Sequence, residues 1–459
     1  MRVINGKLAA LTLALMMVVG GVKSVKAEGA AGDTASAGTP ITFEQAIQIA
    51  LTKNITLAQA QNAVASDAAN VRGAKMSFLP NLQLNTSGAQ TFGRNFSENT
   101  GGVLNQTNQS VNAGISSSIT LFNGLQNVAT LHEAEKSQDA STLDLTRAKQ
   151  TTVFTVASNF LSIITAQEQL KVQQQNLESL QAQEDEIKKM VDAGARAISD
   201  LYTQQASTAA ARLAVVNAQH DLELAKVDLI QTLNLDPKVS YDFVAPAVND
   251  SIGKSYNLDS LTARAYAQRA DLAAEAARVD ASAQGVKAAN AGWWPTVSLS
   301  AGYNSSYSSV TGQPFLNQLD QARGGSISIG VSIPIFDRGQ TSVDAQKAKV
   351  QEDNAKLALE AEKQQVAADV KRAYLNFQSA GEQLSAAQAQ LTASDLAVKT
   401  SQQRYQAGAG TLVELTQARA AQVQAASAVV GARYGLVFQQ ALMSYYTGEL
   451  DPAHVALNG

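Results

Sequence analysis

The 459-residue sequence contains no cysteine. That excludes a disulfide framework, thiolate metal sites and the lipid-bearing first residue of a lipoprotein. Histidine is almost as scarce: His132 and His220 fall in helical stretches, His454 lies near the end, and no HxxxH spacing occurs. No glycine-rich phosphate loop follows a strand. The chain therefore offers no catalytic, cofactor-binding or metal site and does not read as an enzyme. Proline is rare too, with eight residues, and two stretches of more than sixty residues lack it entirely.

A basic excess is missing as well. The opening "MRVINGKLAALTLALMMVVGGVKSVKA" has a basic start, an apolar run from Leu8 to Val19 and a small-residue site ending at Ala27. This is the pattern of a secretory signal peptide over 1–27, because the run is too short to span a bilayer. Residues 28–40 read as a disordered start to the mature chain. Removing Arg2, Lys7, Lys23 and Lys26 leaves 31 basic against 39 acidic groups. No nucleic-acid partner is expected at that balance, since phosphate binding needs the opposite sign.

What is present is duplication. "FLPNLQL" (Phe78 to Leu84) recurs as "WWPTVSL" (Trp293 to Leu299), "ITLFNG" as "SIPIFDRG", and "TLNLDP" as "TGELDP". "MVDAGARAISDLYTQ" (Met190 to Gln204) recurs as "RYQAGAGTLVELTQA" (Arg404 to Ala418). The offsets are all 214 or 215, so residues 41–235 and 256–450 are two copies of one unit, joined by a connecting segment at 236–255. Residues 451–459 form a tail.

Two periods alternate within each copy. Aliphatic residues at every second position, as in Val111, Ala113, Ile115, Ile119 and Leu121 or Ile327, Ile329, Val331, Ile333 and Ile335, mark strands at about 81–92, 111–122, 296–307 and 326–336. The polar stretches Phe92 to Ser110 and Ser308 to Gly325 read as long loops between paired strands. From Gly124 to about Val191, and from Gln340 to Tyr405 with only Gly381 inside, the chain reads as continuous helix of roughly 100 Å. Asn123 with Gln126, and Asp337 with Gln340, are capping pairs at the two helix starts. Val156, Ile163, Leu170, Leu177, Glu184 and Val191 repeat every seven residues, and Val370, Phe377, Leu384, Leu391, Val398 and Tyr405 keep the same phase. That is a left-handed coiled coil.

On the helices alone, a non-transport structural coiled-coil envelope protein is an equal reading. The strands decide against it. They are uncharged, of a length that crosses a bilayer, and put aliphatic side chains on one face and small polar ones on the other. In lipid an open four-stranded sheet is forbidden, and closed barrels begin at about eight strands. Several chains must share one barrel, and three would leave a lumen. Trp293 and Trp294 sit where an aromatic belt would meet the membrane surface, with ordinary core packing as the alternative.

The duplicated passages "MSFLPNLQL" and "AGWWPTVSL", the turns "LFNG" and "IFDRG", and the tip "RYQAGAGTLVELTQA" resemble the TolC-like outer-membrane efflux proteins over nearly the whole mature chain. The resemblance implies a mainly α fold with membrane β: two tandem repeats, each of two strands and long coiled-coil helices. It implies a homotrimer with a twelve-stranded β-barrel in the outer membrane, continued by an α-helical tunnel through the periplasm. Shorter helices, roughly 57–79 with 197–234 and 272–294 with 411–447, would stack beside the long ones. The implied role is a passive exit duct of a tripartite efflux pump or type I secretion system, for small molecules or polypeptides. Implied partners are a periplasmic adaptor protein and an inner-membrane transporter of RND, ABC or MFS type, besides outer-membrane lipid, in a Gram-negative-type bacterium.

If the strands anchor one end, each long helix turns back at the other, about 192–200 and 406–414. Gly194 and Gly408 supply that turn. By resemblance the small-residue tips, with Ala195 and Gly410, meet the adaptor. Asp200 and Glu414 would form acidic rings at a periplasmic constriction if they face the lumen; Thr411 and Glu414 also have capping-box spacing. Some family members carry a further acid near position 417, where this chain has Gln417. Tyr405, Arg404 and Arg196 can link neighbouring hairpins to acids such as Asp200, or be solvated surface residues.

Overall fold

The computed structural model describes residues 40–97, 101–244 and 256–450. The signal peptide, residues 28–39, the tail with His454, and residues 98–100 and 245–255 of the expected loop and connecting segment lie outside these. In chain order the elements are β1 (Pro40–Ile41), α1 (Phe43–Lys53), α2 (Ile55–Met76), β2 (Gln83–Ser97), β3 (Gly102–Asn123), α3 (Gln126–Asp192) and α4 (Ile198–Thr232). After β4 (Asp242–Phe243) the order recurs as α5 (Leu258–Gln268), α6 (Ala270–Asn290), β5 (Thr296–Ser308), α7 (Phe315–Gln321), β6 (Gly324–Ser332), α8 (Gln340–Gln406) and α9 (Leu412–Thr447).

The helices α3 and α8 are 67 residues each, about 100 Å long. Along α8 from Val370 onward the buried residues are Val370, Ala373, Ala380, Leu384, Ala387, Ser394, Val398 and Tyr405, with Phe377 and Leu391 half-buried, so both apolar positions of the heptad are used. On α3 the seven-residue series is buried through Leu170, but Leu177, Glu184 and Val191 are only half-buried. Burial passes to Leu180, Gln183 and Ile187. A helix of 3.6 residues per turn drifts about 20° per heptad, so a straight one presents a neighbouring row to its partner after several turns. No helix among the described residues is long and apolar enough to cross a membrane.

The strands form one antiparallel sheet in the order β2-β3-β5-β6. Leu84 faces Ile115, which faces Tyr303; Leu299 lies between Ile119 and Ile329; Val297 pairs with Val331. These side chains share one face, and Ile327, Ile329 and Val331 on it are 80, 68 and 60% exposed. The opposite face pairs Ser116 with Gly302 and Gly302 with Ser326, and Ser118 with Ser300 and Ser300 with Ser328. The outer edges of β2 and β6 have no strand partner among the described residues.

Three expectations are corrected. Phe92–Ser97 and Gly102–Ser110 are strand rather than loop: Phe92–Ser97 pair with Gly102–Thr107, and Gly101 takes a left-handed φ of 66°. Asn, Gln and Thr on both faces hid the alternation there. Ile333 and Ile335 fall outside β6, because its partner begins only after Pro295 and Pro334 has no N–H to donate. The long helices start beyond left-handed pairs, Gly124–Leu125 and Arg338–Gly339, and not at capping pairs. Asp337 still accepts the Gly339 and Thr341 N–H groups at 2.9 and 2.8 Å, but Gln340 turns forward to Asp344.

The middle of the helical body carries the largest core. β1 pairs in parallel with β4, and Phe43, Phe160 and Phe243 meet edge to face with centroids 5.4 and 6.0 Å apart. Leu229, Leu233 and Leu450 complete it. The expected connecting segment is therefore partly core: Tyr241 and Phe243 are buried.

Beside this core sits an ionic cluster. The break between α5 and α6 falls at Arg269, whose side chain is 4% exposed and reaches Asp271 at 2.6 Å, Glu362 at 3.5 Å and Asp369 at 3.6 Å. Arg147 joins Asp271 at 3.1 Å and lies 3.9 Å over the Tyr445 ring. Burial alone would raise the Asp271 carboxyl, but the Arg269 hydrogen bond and the charges of Arg147 and Arg269 outweigh it and hold it low. Glu362 is pushed up by burial and by the charge of Asp271, against Arg269. The first repeat breaks at Asn54 instead, whose side chain accepts Leu57 N–H and donates to Thr232 O.

Candidate functional site

At the end farthest from the sheet both hairpins close in the same way. Gly194 and Gly408 take left-handed φ values of 72° and 74°. In the first turn, Gly194 N–H donates to Val191 O and Ala195 N–H to Met190 O, at 2.9 and 2.8 Å; in the second, Gly408 and Ala409 repeat the pattern onto Tyr405 and Arg404, at 3.1 and 2.9 Å. This paired 5→2 and 6→1 arrangement ends a helix and needs the positive φ that glycine adopts without strain.

The two tips differ beyond the glycines, and the differences fit together. Arg196 donates from Nη2 to Tyr405 O at 2.9 Å, and its guanidinium lies 4.3 Å over the Tyr405 ring. Gly410, in the corresponding place of the second tip, packs on its own helix end, where a Cβ would stand 3.1 Å from Arg404 Cβ. Tyr405 is 5% exposed and packs with Ile187, Leu412 and Leu415, flanked by Val191 and Leu201. Its hydroxyl is buried with no hydrogen-bond partner. Burial raises the Tyr405 phenol, helped by the negative charges of Asp200 and Glu186 and opposed by Arg196.

The acids and Arg404 occupy different surroundings. Asp200 stands half-buried in the first turn of α4, close enough to act on the Tyr405 phenol, and no ion pair joins it to Arg196 among the described residues. Glu414 is capped as its spacing allowed: Thr411 Oγ1 accepts its N–H at 3.2 Å. Its carboxylate does not return to Thr411 but lies 3.5 Å from Arg404 Nη1, both side chains being about half-exposed. Arg404 also donates to Ala409 O at 3.3 Å. Arg404 therefore ties its own hairpin, because its Cα precedes the turn that Glu414 follows; only Arg196 reaches across to the other hairpin. Trp293 and Trp294, 57 and 60% exposed, lie at the opposite end of the tunnel, where helix meets strand. A Cβ on Gly124 would stand 2.7 Å from Trp294 Cβ.

Sequence reasoning passed over Ile187, Leu412, Leu415 and Arg419 in this region. Ile187 follows Leu180 at a heptad step and could have been found by testing the second apolar row. Arg419 has a buried Nη1 without a hydrogen-bond partner, and burial lowers its guanidinium against the charge of Glu186. No helical period singles out such a residue.

The comparison with known proteins agrees with this geometry. The family model described as "Outer membrane efflux protein" matches residues 46–235 and 261–448, one match per repeat. The outer membrane efflux protein BepC of Brucella suis is 23% identical over 431 residues, covering 92% of this chain and 90% of its own. The cation efflux system protein CusC of Escherichia coli is 25% identical over 343 residues, 73% of this chain and 71% of that one. Among solved structures, a membrane protein from Pseudomonas aeruginosa superposes with a TM-score of 0.78 at 19% identity, over 90% of this chain and 92% of that one. The one-face-aliphatic sheet, the long tunnel helices and both family matches make this chain a member of the outer membrane efflux protein family, an efflux channel of the outer membrane.

Proposed function

We propose that the chain is the passive exit duct of a tripartite exporter, in which an inner-membrane transporter supplies energy and a periplasmic adaptor engages the hairpin tips. The observation that carries this reading is the separation of two ends. An aliphatic sheet with two open edges lies at one end of α3 and α8, and two glycine-closed tips lie about 100 Å away. Four strands with free edges cannot stand in lipid, so three copies close a twelve-stranded barrel and their helices continue it as a tunnel. Trp293 and Trp294 then lie at the periplasmic surface of the outer membrane, where aromatic rings are favoured.

Six tips surround the far mouth. Arg196 on Tyr405 holds the two hairpins of one chain together, and Asp200 and Glu414 supply the negative charge of the constriction. Opening separates the hairpins and breaks that contact. The rival reading, a structural coiled-coil envelope protein, leaves the membrane sheet without a use.

The chain lacks cysteine, so single cysteines introduced at Ala195 or Ala409 give a clean test. Bifunctional cross-linkers there should capture the exporter's periplasmic adaptor, and a cysteine at Trp294 should not. Capture from all three positions alike, or cargo export undiminished when the chain is deleted, would contradict the exit-duct reading.

A further inference from the structure

The first strand pair outgrows the sheet. The last β3–β5 pair is Ser110 with Ser308, yet β2 and β3 remain paired from Ala89–Ser110 to Ser97–Gly102. This two-stranded ribbon is roughly 26 Å long at ~3.3 Å per residue. It projects beyond the rim at the end away from the helices, which is the outer surface of the membrane. Its base is steadied where Ser309 Oγ accepts the Gln109 N–H at 2.8 Å, but a two-stranded ribbon is marginal in water, so the rest of it needs something against a face.

One face is built for a partner. Phe96 pairs with Val103, Arg94 with Asn105 and Phe92 with Thr107. Register carries these positions straight down through Gly88–Val111 to Leu84–Ile115, so they continue the aliphatic face of the sheet. Phe92, Phe96 and Val103 are 72, 64 and 54% exposed. Arg94 is the sole basic residue in β2 and β3 and makes no ion pair among the described residues; Glu98 lies outside them. The opposite face has Thr91, Gly93 and Asn95 in register with Asn108, Gln106 and Leu104.

Height in the membrane identifies what this face meets. The apolar band of an outer-membrane barrel is ~25 Å tall, which tilted strands cross in about ten residues. Counted from Leu82, that places Phe92 at the upper edge of the band. Arg94 then falls in the headgroup layer and Phe96 just above it. We propose that Phe92, Arg94, Phe96 and Val103 form a docking surface for the phosphorylated sugar headgroups of outer-leaflet glycolipid. Arg94 takes a phosphate by charge-assisted hydrogen bonds, and the two phenylalanine rings lie on the sugars. The bound headgroups in turn cover the face that water leaves unsupported.

This inference rests on the sheet's aliphatic face meeting lipid, and the test reads the two separately. Nitroxide labels are placed at V103C on the ribbon face, T91C on its opposite face and I329C on the barrel. The full-length channel is reconstituted in vesicles containing lipopolysaccharide or in phosphatidylcholine alone, and collision with a water-soluble nickel chelate is measured. The label at 329 should be shielded in both lipids, which tests the barrel alone. The label at 103 should be shielded only with lipopolysaccharide, and the label at 91 in neither. Arg94→Ser should weaken the lipopolysaccharide effect about fivefold, the factor equivalent to the ~1 kcal/mol that one Arg gains near an anionic headgroup surface. Equal exposure of the label at 103 in both lipids overturns the proposal, as does shielding at 103 in phosphatidylcholine, which would mean that ribbons cover one another.

Discussion

Arg196 and Gly410 occupy the same place in the two hairpins, two residues past the turn glycine, and only Arg196 reaches the other hairpin. Duplication made the tips alike, and this divergence made them complementary. A guanidinium over an aromatic face is worth ~0.5–2 kcal/mol according to its desolvation. Arg196→Ala should therefore raise the open fraction of the channel by roughly tenfold, read as single-channel conductance in a planar bilayer. Arg404→Ala, which removes a contact within one hairpin, should change it far less. Equal effects of the two substitutions would contradict the assignment.

The Tyr405 hydroxyl is buried without a partner, while its ring supports Arg196. Tyr405→Phe keeps the ring and removes the unpaired group, so thermal stability should hold or rise slightly. Tyr405→Ala empties the small tip core and should cost ~3–5 kcal/mol locally. Hydrogen exchange at the tip amides separates the two outcomes, with the alanine variant losing protection and the phenylalanine variant keeping it.

The entry to the first long helix stores removable strain. Leu125 has φ 66°, in the left-handed region that costs a non-glycine residue roughly 1–2 kcal/mol. Leu125→Gly should raise the thermal midpoint, stabilising each chain by ~0.5–1 kcal/mol once glycine's greater unfolded freedom is deducted. Its neighbour behaves oppositely: a Cβ at Gly124 would stand 2.7 Å from Ala291 O and Trp294 Cβ, so Gly124→Ala should lower the midpoint.

The two raised and lowered acids beside Arg269 give opposite pH responses. Asp271 is held below its ordinary 3.8, so its stabilisation is present above that value and is lost as pH falls through the folded-state pKa. Asp271→Asn should cost about 3 kcal/mol at neutral pH by leaving Arg269 under-compensated. Glu362 is held above its ordinary 4.5, so the folded state gains stability as pH falls through that raised value. Glu362→Gln should raise the thermal midpoint at pH 7 and abolish the gain in mild acid. A neutral-pH loss from Glu362→Gln would contradict this sign.

The parts of the fold with a period were legible in the sequence. Ile327, Ile329 and Val331 announce a strand by alternation, and Gly194 and Gly408 stand out because the same glycine break recurs in both copies between long, glycine-poor helical stretches. Elements without a period were not legible. β1 and β4 have two residues each and pair across some two hundred positions, so nothing local marks Phe243 as core. The upper ribbon is mostly polar apart from Phe92, Phe96, Val103 and Leu104, and reads as loop until its pairing is seen. At the tips the residue types were readable but the partners were not. By residue type Arg196 can link hairpins to an acid such as Asp200 or, as charged residues more often do, stay solvated, and which hairpin it crosses to depends on how the long helices pack far above.

The claim on which the channel depends is that one chain cannot seal its own sheet. Native mass spectrometry of the detergent-purified protein, with planar-bilayer recording from the same preparation, tests it directly. Three chains per conducting particle and no current from single chains is the expected result. Steady conductance from a stable single-chain particle would contradict it.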